Sequence, residues 1–245
     1  MPAADETFLL GLLQGPAELL PISSSAHVGL LLQCRHASLQ GAARKEIEVA
    51  LHAGTALVLA MDRRSFRWRF LAAATMPPAL AGLLFERVVE ERLGAPPMVA
   101  AGLLAGAAAM VIADRTAARR TEPTLVDGLV LGAAQALALI PGVSRSGATR
   151  AAARARGFGR ADAAELSREV ALPVLAGATA LKGARLVARR PPAATLRALG
   201  AGAGAAALSS WVALRTEPRA PLWVWAAYRT ALAVAILAVW HDRSR

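Results

Sequence analysis

The apolar residues of this chain stand in long blocks that contain almost no charged residues, unlike the short amphipathic stretches of a soluble domain. A helix of about 20 residues crosses the roughly 30 Å hydrocarbon layer of a bilayer. Six blocks approach that length, at 46–62, 69–85, 98–114, 169–188, 194–214 and 222–240. The pattern therefore predicts an all-α polytopic membrane protein.

Two further apolar stretches, at 7–20 and 125–140, are too short to cross a bilayer. Each runs into a proline-containing, serine-bearing turn, and another short apolar piece is expected to follow. Irregular backbone at membrane depth is tolerated only where protein or a water-filled cavity satisfies its polar groups. We therefore expect two re-entrant helix pairs whose turns share one polar site.

The two broken stretches also resemble each other. Residues 11–21 read GLLQGPAELLP and residues 132–141 read GAAQALALIP, about half the chain apart. This similarity predicts one integral membrane domain over 1–245 with two repeats, about 1–122 and about 123–245. Each repeat would hold one re-entrant helix pair and three transmembrane helices. An odd number of crossings per repeat makes the repeats inverted relative to each other.

Composition supports the membrane assignment. Hydrophobic residues make up 56% of the 245 residues and charged residues 18%, whereas soluble domains have about 25% charged residues. The net charge of +11 comes from short basic clusters between the apolar blocks, where loops meet anionic headgroups, so we expect no nucleic acid partner. Asp5 and Glu6 stand where a secretory signal has basic residues, so we expect no cleaved leader.

The first turn places a carboxylate, an imidazole and hydroxyls close together. Gln14 and Glu18 are four residues apart and share a helix face, and Pro21 then interrupts the helix. Ser24 and His27, three residues apart, share a face of the helix that follows. A glutamate inside an apolar segment is costly and usually functional. A structural role, with Glu18 capping or pairing and His27 packed in a core, is the alternative.

The second turn, PGVSRSGAT at 141–149, has the features of an anion site. Gly142 permits a tight turn, and Ser144 and Ser146 can cap the next helix, whose first backbone N–H groups attract anions. Arg145 adds a planar cation that matches a phosphate group. An arginine at membrane depth costs about 2.5–3.5 kcal/mol, so an anionic partner is expected. A structural ion pair with Glu18 is the alternative to a bound phosphate.

Together these motifs resemble those of the undecaprenyl-diphosphate phosphatases of the bacitracin-resistance type. That family carries [Glu/Gln]-x-x-x-Glu followed by a Pro-x-Ser-Ser-[Ser/Thr]-x-His turn, which Gln14 through His27 match, and Pro-Gly-x-Ser-Arg-Ser-x-x-Thr, which Pro141 through Thr149 match. LHAGTALVLA at 51–60 and WAAYRTALA at 225–233 are weaker similarities.

The resemblance implies a multi-pass enzyme of the bacterial plasma (inner) membrane. Such an enzyme hydrolyses undecaprenyl diphosphate to undecaprenyl phosphate and inorganic phosphate. This reaction recycles the lipid carrier for peptidoglycan synthesis and confers bacitracin resistance. The implied partners are that lipid and the bilayer, and the oligomeric state, a homodimer included, stays open.

The resemblance also implies roles for individual residues. Glu18 and Gln14 take the metal-binding or proton-handling positions, and Ser24 and His27 take the nucleophile and base positions. The implied cofactor is a divalent cation, Mg²⁺ or Ca²⁺, which would neutralise diphosphate charge. The substrate-binding set comprises Arg145, Ser144, Ser146, Gly142, Thr149, Ser23 and Ser25.

Several alternatives stay open at this stage. The nucleophile could be Ser24 activated by His27, His27 itself, or a water oriented by Glu18. Gln14 replaces one carboxylate of the motif, which favours an inactive structural homologue, and the same scaffold would also suit a polyprenyl-phosphate transporter or flippase. Arg168-Glu169 opens a segment that is apolar in the family, which predicts either a shifted helix boundary or a charged pair at the interface.

Overall fold

The computed structural model describes residues 4–34, 42–62, 67–217 and 220–243. These residues form α-helices and, apart from one isolated bridge between Arg120 and Phe158, no β-structure. The helices are α1 (Ala4–Leu19), α2 (Ser24–Cys34), α3 (Ala42–Met61), α4 (Trp68–Arg92), α5 (Pro96–Asp114), α6 (Leu125–Leu137), α7 (Arg145–Ala155), α8 (Arg160–Ala188), α9 (Ala193–Thr216) and α10 (Leu222–Arg243).

Four helical segments are long and apolar enough to cross a membrane: Trp68–Phe85, Pro96–Asp114, Arg160–Ala188 and Leu222–Asp242. The predicted all-α polytopic class is therefore confirmed. The predicted blocks at 46–62 and 194–214 are helical as α3 and α9, but they are not among these four segments. The inverted arrangement of the two repeats stays a prediction.

Both short apolar stretches are interrupted as predicted. Helix α1 ends at Leu19 and α2 begins at Ser24, while α6 ends at Leu137 and α7 begins at Arg145. Pro21 and Pro141 lie in these interruptions. Proline has no backbone N–H, and its ring drives the preceding residue away from helical angles, which favours a helix end before each of these two prolines. Proline alone does not decide this, because Pro16, Pro77, Pro78 and Pro173 lie inside helices.

The predicted start of the fourth block at residue 169 is wrong, because α8 begins nine residues earlier at Arg160. Glu169 is consequently inside a helix and is nearly buried. Its carboxylate accepts hydrogen bonds from Arg67 Nη2 at 2.6 Å and Arg67 Nε at 3.3 Å. A shifted helix boundary, with Arg67 as the cation, therefore accounts for this charged position.

The described residues divide into two compact units. Unit 1 comprises Met1–Leu19, His27–Arg64 and Leu172–Glu217; unit 2 comprises Leu20–Ala26, Ser65–Ala171 and Pro218–Arg245. In unit 1, α1 and α3 both pack on α9. The contact is close because small residues line it: a Cβ on Gly11 would collide with the carbonyl oxygen of Gly202.

In unit 2, α4 packs on α6, α5 packs on α10, and α7 contacts both α5 and α6. Its main core joins α4, α6, α7 and the first half of α8, and consists of Phe70, Leu71, Ala74, Leu131, Ala153, Phe158, Ala163, Leu166 and Val170. A second cluster packs α5 against α7 and α10. Helix α7 contributes Ala153 to the first cluster and Ala151 to the second, so it packs on both sides.

The N-terminus of α6 in unit 2 is fixed by a buried carboxylate. Asp127 forms a capping box with Thr124 and accepts hydrogen bonds from Arg120 Nη2 and Arg156 Nε, both at 2.7 Å. Burial alone would raise the pKa of Asp127, but the hydrogen bonds from Arg120, Thr124 and Arg156 outweigh burial and hold the pKa well below its usual range. The Arg120 guanidinium also lies over the ring of Phe158.

We expect Asp127→Asn to lower the free energy of unfolding by about 3 kcal/mol, because it leaves two arginines facing a neutral amide. Unfolding in detergent with increasing denaturant measures this loss. Because the pKa of Asp127 is lower in the folded protein than in the unfolded chain, the carboxylate stabilises the fold above about pH 4. This stabilisation is lost as the pH falls further. The difference between the two proteins should therefore shrink below about pH 4. Asp242→Asn, at an exposed position, is the control, and an equal loss there would contradict the argument.

Candidate active site

The turn between α6 and α7 has a backbone that few residues tolerate. Gly142 has φ +92°, and a Cβ on it would collide with the carbonyl oxygen of Val99 in α5. Only glycine meets both conditions without strain. Two residues later Ser144, the N-cap of α7, has φ +67°. Positive φ in a residue other than glycine is uncommon and is often associated with functional sites.

The serine hydroxyls of this turn face one another. Ser144 Oγ lies 3.3 Å from Ser146 Oγ and accepts a hydrogen bond from Gly147 N at 3.2 Å. Ser146 Oγ also donates to the carbonyl oxygen of Leu20 at 2.7 Å. Leu20 belongs to the first turn, so the two turns are in contact within unit 2.

The first turn repeats the local geometry of the second. Ser23 has φ +76°, and its Oγ lies 3.2 Å from Ser25 Oγ. In each turn, a serine with positive φ lies next to a second serine two residues later in the sequence. Ser23 is buried and Ser25 is exposed, so this serine pair lies at the protein surface.

Helix α8 holds the start of α7 through Ser167. Arg145 Nη1 donates to the carbonyl oxygen of Ser167 at 3.1 Å, and the hydroxyls of Thr149 and Ser167 lie 2.6 Å apart. Thr149 also donates to the Arg145 carbonyl oxygen at 2.8 Å. Arg145 is half-buried, while Ser144, Ser146 and Thr149 are buried. The predicted substrate-binding residues of the second motif are therefore adjacent to one another.

A second group of predicted site residues lies in unit 1. Gln14 Nε2 donates to Glu18 Oε2 at 3.3 Å, as their four-residue spacing on one helix predicts, and both side chains are buried. The same Glu18 oxygen lies 3.6 Å from His52 Nε2 in α3. Glu18 and Arg145 belong to different units, so the ion pair between them stays a hypothesis.

Ser24 and His27 lie on the first turn of α2, and both are half-buried. The helix begins at Ser24, so the predicted spacing of three residues does place the two side chains on one helical face. Their roles as nucleophile and base stay predictions, because side-chain position on a helix does not establish which atom attacks.

The donor atoms present suit a cation that is held partly by substrate. Among the described residues no group of three or more His, Cys, Asp or Glu side chains could hold a metal ion. Glu18 supplies one carboxylate and Gln14 one amide oxygen, and Mg²⁺ is commonly bound by one or two carboxylates together with substrate phosphates. One carboxylate and one amide would suit a divalent cation only if other ligands, such as phosphate oxygens, completed its coordination.

Three residues around these turns were not among the predicted site residues: His52 and Ser167, and Arg229 of α10, which donates to the carbonyl oxygens of Gly142 and Val143. His52 is the one ionisable residue of the apolar run 49–61, and Arg229 is the one charged residue of the block 222–240, which is a signal for function that the sequence does contain. Ser167 gives no such signal, because a serine on a helix is common. Its importance arises only from the contact between α7 and α8.

The helices and turns define a polytopic membrane protein with two interrupted apolar stretches, the second of which carries serines and an arginine at the start of α7. The sequence profile of the family described as "Bacitracin resistance protein BacA" matches residues 7–235, and the chain belongs to this family. The chain is 34% identical to the undecaprenyl-diphosphatase of Gemmatimonas aurantiaca, over 98% of each protein. It is 36% identical to the one from Geobacter sulfurreducens, over 94% of this chain and 96% of the relative.

Proposed function

We propose that this protein hydrolyses undecaprenyl diphosphate to undecaprenyl phosphate and inorganic phosphate in the bacterial plasma (inner) membrane. The relatives named undecaprenyl-diphosphatase match nearly their whole length and support this activity. Recycling of the lipid carrier supplies peptidoglycan synthesis, and by lowering the amount of lipid diphosphate it confers resistance to bacitracin. The lipid and the bilayer are the partners of the reaction.

The observation that carries the proposal is the start of α7. Ser144 and Ser146 hydroxyls, the first N–H groups of the helix and the Arg145 guanidinium all lie within one turn of backbone. Helix N-termini bind anions through N–H groups and the helix dipole, and the planar guanidinium can form two parallel hydrogen bonds to a phosphate. A terminal phosphate is the group of the substrate that this arrangement would hold.

Hydrolysis requires an oxygen or nitrogen nucleophile at the terminal phosphorus. The bond from that phosphorus to the bridging oxygen breaks, and the electron pair stays on the lipid phosphate. Three routes are retained: attack by Ser24 with His27 as base, attack by His27, or attack by a water that Glu18 orients. The first two form a phosphoenzyme that water then hydrolyses. Phosphoserine survives acid and phosphohistidine does not, so acid quenching of labelled enzyme separates them.

A divalent cation, Mg²⁺ or Ca²⁺, would be held by Glu18 and the Gln14 amide together with phosphate oxygens. When bound, it would neutralise the charge of the diphosphate. The protein side chains orient the substrate and supply the negative charge near the reacting group. Arg145 and its neighbouring serines orient the terminal phosphate, and Glu18 supplies the negative charge that a cation or an attacking water requires.

The proposal is tested with purified protein in detergent. We expect release of one inorganic phosphate per C55 or C15 lipid diphosphate consumed, with the lipid monophosphate as the other product. Arg44→Lys should keep full activity, because Arg44 forms a partly exposed pair with Glu48 in α3, outside both motifs. Binding of the lipid without phosphate release would contradict hydrolysis and favour the transporter or flippase; absence of both would favour an inactive homologue.

A further inference from the structure

Arg229 is a buried arginine of α10 that holds the turn preceding α7. Its side chain is 0% exposed. Arg229 Nη2 donates to the carbonyl oxygens of Gly142 at 2.8 Å and Val143 at 2.9 Å, both in the turn. Nη2 and Nε also donate to the carbonyl oxygens of Gly102 and Leu103 in α5, at 3.3 and 3.2 Å. One guanidinium therefore joins α10, α5 and the backbone of the turn.

Two glycines make room for this guanidinium. A Cβ on Gly106 of α5 would collide with Arg229 Nη2, and a Cβ on Gly147 of α7 would lie 2.6 Å from Arg229 Nη1. Gly147 directly follows Ser146 and donates its N–H to Ser144. The guanidinium thus fills a slot between α5 and the first turn of α7, which any larger residue at either position would close.

The cost of burying this charge argues against a role in packing alone. All hydrogen-bond acceptors of Arg229 are carbonyl oxygens, and among the described residues it forms no ion pair with a carboxylate. Its Nη1 atom is buried and has no hydrogen-bond partner in the described part of the chain. A buried, incompletely satisfied cation is expensive, whereas an apolar side chain would pack at lower cost.

We propose that Arg229 is a positioning residue for the phosphate-binding turn. By holding the carbonyl oxygens of Gly142 and Val143, it fixes the turn so that the Ser144 N–H, on the opposite side of the Val143 carbonyl, and the Ser144 and Ser146 hydroxyls face the bound diphosphate. The Val143 N–H itself donates to the Ile140 carbonyl oxygen and keeps the turn closed. Its buried positive charge adds to the attraction of the turn for an anion. The inference rests on the proposed phosphatase function and assigns a role to a residue outside both motifs.

The decisive variant is Arg229→Lys, which keeps the charge but cannot hold carbonyl oxygens of α5 and of the turn at once. We expect the KM for farnesyl diphosphate to rise at least 10-fold. Amide hydrogen exchange in peptides covering 142–148 should also become at least 10-fold faster, because the turn loses its attachment.

Arg154→Gln is the control. Arg154 is also a buried arginine of unit 2 that donates to backbone carbonyl oxygens, those of Asp114, Thr116 and Phe158, but it lies at the C-terminal end of α7 and also pairs with the Asp114 carboxylate at 3.3 Å. This variant should lower thermal stability while leaving the KM of the folded enzyme and the exchange of 142–148 unchanged.

The outcomes are separable. Wild-type KM and wild-type exchange in Arg229→Lys would overturn the positioning role, as would identical behaviour of Arg229→Lys and Arg154→Gln. If the wild type binds farnesyl diphosphate without releasing phosphate, the proposed function fails, and the inference is then judged by the affinity for that lipid and by exchange. Should Arg229→Lys fail to fold, Gly106→Ala in α5 tests the same contact, because its Cβ would displace Nη2, the atom that holds both turn carbonyls; wild-type KM there would overturn the proposal.

Discussion

Glu18→Gln is expected to lower the rate of phosphate release at least about 100-fold. Losses of this size are typical when an enzyme loses a general acid or base. The substitution keeps the size of the side chain and its contact with Gln14, but it removes the negative charge that faces His52. Because Gln14 has no charge, Glu18 is the only acid of the first motif. Initial rates with farnesyl diphosphate over a range of Mg²⁺ and Ca²⁺ concentrations measure the loss.

The neighbouring residue provides the matched comparison. Gln14→Ala should lower the rate only partly, since it removes one hydrogen bond to Glu18 and no charge. Gln14→Glu should remain active and depend more strongly on the divalent cation, because a second carboxylate adds an oxygen ligand and repels Glu18 until a cation binds. Full activity of Glu18→Gln would remove the first motif from the catalytic mechanism.

Arg145→Lys is expected to be nearly as damaging as Arg145→Ala, with turnover at least about 100-fold below that of the wild type. Lysine keeps the positive charge, but it lacks the planar fork that can contact a phosphate with two N–H groups while another donates to the Ser167 carbonyl oxygen. The measurement is kcat and KM for both variants, with Arg44→Lys as a control for the same substitution in a partly exposed ion pair.

The two variants show whether phosphate binding needs the planar guanidinium of Arg145 or only its positive charge. If Arg145→Lys keeps most of the wild-type turnover while Arg145→Ala loses it, the phosphate clamp needs only positive charge. If both keep it, Arg145 is a structural residue that links α7 to α8 through Ser167. A selective rise of KM in both variants would place the role of Arg145 in binding rather than in the chemical step.

The sequence by itself determined the class of the protein, the position of both helix interruptions and the residues available for chemistry. These features are local. Apolar blocks partition into lipid whatever their neighbours, a proline next to serine- and glycine-containing turn residues favours a helix end, and Gly142 is required by the φ of its own residue. The contact between Gln14 and Glu18 was predictable for the same reason, since four residues of helix bring them together.

The tertiary structure alone decided which of these residues meet distant partners. Ser146 contacts Leu20, Glu18 faces His52, and Glu169 pairs with Arg67 rather than with a neighbour in sequence. Helix α8 begins well before its apolar block, because Ala163 and Leu166 fill a core that α4 and α6 supply. Arg229 finds its partners in α5 and in the turn before α7. Such contacts depend on how separate helices pack, and helix packing depends on side chains far apart in the chain.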